Sequence, residues 1–192
     1  MYSLLAWRAR SLPSSSSPST ATVSDEWLTQ LRQAHLDGVY AYARRRLPSV
    51  EDAEDVAAET FAAVCVAPQR VPQDETKVRA WLLGIARNKL TDLLRKRYKR
   101  RELPLTDLEP LALAGPEALL GPPQAQALRS AIDGLPADQR EALLLKYADE
   151  LTLTEVGRVL GKSEAAVSSL LQRARATVRE RAAYAFTTKE KS

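Results

Sequence analysis

Cysteine is almost absent: Cys65 stands alone in 192 residues, so neither a disulfide framework nor a cysteine-based zinc site can be built within one chain. Histidine is as scarce. His35 could join Glu51, Asp55 and Glu59 as a carboxylate metal centre in a helical bundle, but the paired Glu-x-x-His motifs of such centres are missing, and no metal or cofactor is expected. The seven glycines fall mostly where helices would end or break, which leaves no phosphate-cradling Gly-rich loop, and no Ser/His/Asp arrangement stands out. No catalytic centre is therefore expected. Nothing in the chain is long and apolar enough to cross a bilayer. The opening "MYSLLAWRARSL" puts Arg8 and Arg10 after a short apolar run, the reverse of a secretory signal. Sustained two-residue alternation with β-branched enrichment is also missing, which favours an all-α fold. A soluble protein of the reducing cytoplasm fits all of these absences.

Apolar residues make up 45% of the chain, enough for a globular core, and the net charge of +4 is modestly basic. Distribution is more informative than the total. "LPSSSSPSTATVS" is too polar to offset the entropy of ordering, so residues 1–24 read as a flexible leader. Between 102 and 124, "ELPLTDLEPLALAGPEALLGPPQ" carries acidic residues, prolines and no Lys or Arg, and reads as a linker. Two helical modules remain, over 25–101 and 125–186, with a short tail at 187–192.

In the first module Leu28, Leu31, Leu36, Val39, Tyr40 and Ala43 recur at near-helical spacing, and Val56, Ala57, Phe61 and Val64 repeat the pattern. Leu83, Ala86, Leu90, Leu93 and Leu94 form a third stripe, which leaves Arg87, Asn88, Asp92, Arg95, Lys96 and Lys99 off it. In the second module Pro136 suits the first turn of a helix through "ADQREALLLKYAD". Thr152 and Glu155 have capping-box spacing, Gly161 ends the short helix that follows, and Ser163 can cap the next one, with Val167, Leu171, Ala174 and Val178 inward. Two helices joined by a tight turn, the second basic toward its end, match a helix-turn-helix.

The ordered series "EDAEDVAAETF", "RAWLLGIARNKLTDLLRKR", an acidic Pro-rich linker and "LPADQREALLLKYADELTLTEVGRVLGKSEAAVSSLLQRARATVRER" resembles the extracytoplasmic-function sigma factors of bacterial RNA polymerase. The resemblance runs from about residue 25 to 183. It implies a region-two domain, a linker and a region-four domain that bring core polymerase to promoters and help open them, without enzymatic activity of their own. It also implies core polymerase and promoter DNA as partners, with a repressing anti-sigma factor a common addition.

By that resemblance Asp52, Asp55 and Glu59 present an acidic face to core polymerase. Lys77, Arg79, Trp81 and Asn88 fall where the promoter-melting segment lies, although the loop 67–77 is richer in Pro and acid than the family's. Asn88, Asp92, Arg95, Lys96 and Lys99 fall on the helix that engages the minus-ten element, with Arg97, Arg100 and Arg101 as further backbone contacts. For the minus-thirty-five element the resemblance points to Lys162, Ser163, Ala165, Ser168, Ser169 and Gln172, with Arg173 and Arg175 on phosphates. Asn and Gln can read base edges, whereas Arg and Lys chiefly neutralise phosphates and release counterions. A one-domain transcriptional regulator would explain the helix-turn-helix but leave the basic helix of the first module without a role.

Overall fold

Local capping decides where most helices of this chain begin, and the apolar stripes decide which way they face. A computed structural model describes residues 25–99 and 122–187. The leader, most of the Pro-rich seam, Arg100, Arg101 and the end of the tail lie outside the described residues. Seven α-helices and no strand occur among the described residues: α1 Asp25–Arg44, α2 Val50–Val66, α3 Glu75–Lys99, α4 Pro122–Asp133, α5 Ala137–Tyr147, α6 Leu153–Leu160 and α7 Glu164–Thr187.

Helices α1, α2 and α3 pack on one another. Ser49 starts α2 by accepting the Asp52 N–H at 3.2 Å, and Glu51 and Asp52 complement the positive end of the helix. The stripes meet as expected: Leu36, Val39, Ala43, Val56, Ala57, Phe61, Val64, Leu83, Ala86 and Leu90 are buried, with Leu93 and Leu94 partly covered. Tyr42 and Leu82, which the spacing did not single out, are fully buried as well.

In the second module α7 is packed by α4, α5 and α6. Thr152 and Glu155 form a reciprocal capping box, with the Glu155 N–H donating to Thr152 Oγ1 at 3.3 Å and the Thr152 N–H to Glu155 Oε2 at 2.7 Å. Gly161 ends α6 in the left-handed region at φ 65°, and Ser163 Oγ accepts the Ala166 N–H at 3.3 Å to open α7. A Cβ at Gly157 would lie 2.7 Å from the Lys162 carbonyl oxygen, so the absent side chain lets the turn fold back on α6.

Two expected boundaries shift. Helix α4 starts at Pro122, three residues ahead of the expected edge at 125; proline fits there because the first helical N–H groups need no intrahelical partner. Pro136 is the N-cap of α5 rather than part of its first turn, with φ −53° and ψ 143°.

Glu150 is the one described residue other than glycine with positive φ, at 56°. Its Cβ makes that conformation costly, so Glu150→Gly is expected to stabilise the fold by up to about 1 kcal/mol. Urea unfolding checks this: the midpoint should rise with unchanged slope, and a lower midpoint would contradict the strain.

The modules also touch each other. Helix α6 packs along α3, and one hydrophobic cluster runs through both modules.

Candidate nucleic-acid interface

Helix α3 is unbroken over 25 residues, and that continuity organises the first surface. At 3.6 residues per turn Lys77, Trp81, Asn88, Asp92, Arg95 and Lys99 fall within about 60° of one another, along roughly 33 Å of one helix face. The melting-segment and minus-ten candidates therefore form one strip. Asn88, Asp92, Arg95, Lys96 and Lys99 are exposed, because the opposite side carries the buried Leu82, Leu83, Ala86 and Leu90. Arg95 lies 3.7 Å from Asp92, with both side chains well exposed, a contact worth little in water.

Arg79 departs from this strip, since it falls on the other side of α3 near α1. There it lines a small cavity with Ala34, His35, Gly38 and Leu83. Burial and then the Arg79 charge push the His35 pKa below its ordinary value. Trp81 is half-buried and packs against the core. Lys77 is engaged by Asp74 at 2.7 Å. The Asp74 carboxylate also accepts from Thr76 Oγ1 at 2.6 Å and the Thr76 N–H at 3.1 Å, and the Lys77 and Thr76 hydrogen bonds hold its pKa down to about 2.

The acidic face of α2 is smaller than expected. Asp55 and Glu59 are exposed one turn apart, and Glu59 meets Lys89 at 3.3 Å. Asp52, at 5% exposure, is turned inward and paired with Arg97. Near its end α3 passes over the first turn of α2, so Arg97 covers Asp52. This pairing removes Asp52 from the accessible acidic set and Arg97 from the free cations. Burial raises the Asp52 pKa while Arg97 opposes the shift, and its Oδ2 has no hydrogen-bond partner.

Helix α7 presents the second strip. Lys162, Ser163, Ala165, Ser168, Ser169, Gln172, Arg173 and Arg175 are all exposed, whereas Val167, Leu171 and Ala174 are buried against the rest of the module. Ala165, Ser168, Ser169 and Gln172 share the outer face of the helix. Lys162 is held 3.1 Å from Asp138, and Ser169 Oγ donates back to the Ala165 carbonyl at 3.0 Å. The first turns are thus small and polar, with guanidinium groups farther along, a gradient suited to groove contact followed by phosphate contact.

Sequence reasoning passed over Tyr98. It is 64% exposed beside Lys96 and Lys99, and an uncovered aromatic ring among cations offers a stacking surface for a base. An aromatic inside a basic run was the available signal.

Residues 31–100 match the family described as sigma-70 region 2, and residues 125–178 match sigma-70 region 4. The chain is 30% identical to the ECF RNA polymerase sigma factor SigM of Bacillus subtilis, over 77% of this chain and 90% of that protein. It is 32% identical to the ferric citrate uptake sigma factor FecI of Escherichia coli, over 73% of this chain and 82% of that protein. Among solved structures it resembles the sigma factor RpoE of Bartonella quintana in complex with the anti-sigma factor NepR. That likeness has a TM-score of 0.62 at 24% identity, covering 79% of this chain and 94% of that one.

Proposed function

We propose that this chain, which belongs to the sigma-70 family as a factor of the extracytoplasmic-function type, binds bacterial core RNA polymerase and directs it to specific promoters. In this reading Asp55 and Glu59 on α2 meet the polymerase. The α3 strip, with Asn88 and the Arg95/Lys96/Lys99 cluster, engages the minus-ten element and assists its opening. The outer face of α7 reads the minus-thirty-five element. Catalysis belongs to the polymerase, and the protein works in the cytoplasm, where the enzyme and the promoter are.

The observation that carries this reading is the pairing of two DNA-suited helix faces, α3 and α7, on separate modules of one chain. A single-module regulator would need only α7. Among the described residues no helix is long and apolar enough to cross a membrane. An anti-sigma factor fits as a further partner, since RpoE of Bartonella quintana is bound by one.

Equilibrium titration of fluorescently labelled protein against bacterial core polymerase tests the proposal. Saturable binding, followed by promoter-specific transcription from the reconstituted holoenzyme, is expected. Tight, specific DNA binding by the free protein with no affinity for a compatible core would favour the regulator instead.

A further inference from the structure

A cavity of about 310 Å³ opens where the end of α1 and the second half of α3 face the first turns of α5. Leu47, Leu90, Leu94 and Leu144 give it an apolar wall, and five arginines reach it, Arg44, Arg45, Arg46, Arg87 and Arg140. Part of that charge is matched. Arg45 pairs with Asp149, and Arg46 reaches Glu141 at 2.8 Å and Asp149 at 3.0 Å, with its guanidinium 3.7 Å from the centre of the Tyr42 ring. Tyr42 itself donates to Glu141 at 2.9 Å. Of the other lining carboxylates, Asp138 is held by Lys162, and Asp133 lies in the field of Arg140 and Arg129. Two cations are left over. Arg44 donates to the Leu47 and Pro48 carbonyls at 2.6 and 3.2 Å and makes no ion pair among the described residues. Arg87 is half-buried, and among the described residues its guanidinium has neither a hydrogen-bond acceptor nor a carboxylate.

Donors are left over as well. Arg45 is only 9% exposed, and its Nε has no hydrogen-bond partner. The first turn of α5 reaches the cavity through Ala137 and Asp138, and its N-cap, Pro136, supplies no side-chain cap, so the positive end of that helix adds to the field. Withdrawing a guanidinium from water without a partner is costly, and an anion seated in the cavity would offset that cost.

We propose that this cavity is a binding site for a phosphate dianion, free or carried by a small phosphorylated metabolite, gripped by Arg44, Arg87 and Arg140. Two unmatched positive charges fit a dianion better than a carboxylate, and planar guanidinium forks meet phosphate oxygens two at a time. The volume stands at the lower end of small-molecule pockets, roughly 300–1,000 Å³, so the site takes a ligand of about mononucleotide size, whose apolar part the leucine wall would cover. Exposed cations such as Arg95 suit a polymer backbone, whereas a half-buried one in a concave site suits a small anion. Neither polymerase nor promoter takes part, so the inference is independent of the sigma-factor reading.

Isothermal titration calorimetry of the full chain against adenosine monophosphate, inorganic phosphate and adenosine, at constant ionic strength, tests the site. Saturable one-to-one binding is expected for adenosine monophosphate and none for adenosine. Weaker binding of inorganic phosphate would mark a phosphorylated metabolite as the ligand, and equal binding the free ion; both outcomes support the phosphate site. Arg87→Gln should lower the affinity about tenfold or more, since hydrogen bonds between charged groups are lost. It should leave the urea midpoint nearly unchanged, because that side chain bonds nothing else among the described residues. Arg140→Gln, made on the other module, should weaken binding too. Arg70→Gln/Arg179→Gln removes two exposed cations outside the cavity and should leave the affinity unaltered. Full affinity in a folded Arg87→Gln protein, an equal loss in the Arg70/Arg179 control, or no saturable binding of either phosphate compound would overturn the proposal.

Discussion

Replacing Arg95, Lys96 and Lys99 together by Gln is expected to lower the affinity of the holoenzyme for promoter DNA on the order of a hundredfold at 0.15 M salt. Each phosphate contact releases condensed counterions, and each one lost flattens the plot of log affinity against log salt by about 0.9. The three side chains are exposed on one end of α3, where Arg95 makes a loose 3.7 Å contact with Asp92. They therefore contribute little to folding, and stability should change by no more than about 0.5 kcal/mol. Filter binding or fluorescence anisotropy at several salt concentrations reads both the affinity and the slope. A slope that stays put would remove this cluster from the DNA interface. Arg97→Gln provides the contrast, because Arg97 covers the buried Asp52: that change should lower thermal stability and leave the salt slope nearly alone.

The second large effect concerns the polymerase. Asp55→Lys/Glu59→Lys turns an acidic patch basic, and like charges brought together at an interface cost several kcal/mol, so core affinity should fall by at least a hundredfold. Both carboxylates are exposed, and among the described residues the ion pair at stake in the fold is Glu59 with Lys89 at 3.3 Å, worth at most about 1 kcal/mol. Titration against core polymerase, with unfolding measured alongside, separates lost binding from lost structure. Unchanged core affinity in a folded variant would make Asp55 and Glu59 an ordinary solvated face. Asp52 is left out of this variant: a lysine there would face Arg97 in a covered position and would test folding instead.

The limits of α6 and the start of α7 were legible residue by residue, since Thr152, Glu155, Gly161 and Ser163 act on backbone groups three or four positions away, whereas the starts of α4 and α5 were not. The two DNA-suited strips were legible for the same reason, because a helical stripe that buries one side exposes the other. Glu150 and Tyr98 were less visible. The strain at Glu150 depends on a backbone turn that no spacing rule marks, and the exposure of Tyr98 depends on what fails to cover it.

Sequence alone thus determined the all-α class, the two modules, the helix-turn-helix and the faces that carry charge, because periodicity and capping are local properties of the chain. Tertiary structure alone decided which charges remain available. Asp52 and Arg97 are 45 residues apart, Arg45 and Asp149 are 104 apart, and Tyr42 and Glu141 are 99 apart. Pairs that distant leave no periodic trace, so a buried ion pair and a solvated cation look alike until the helices that carry them are brought together.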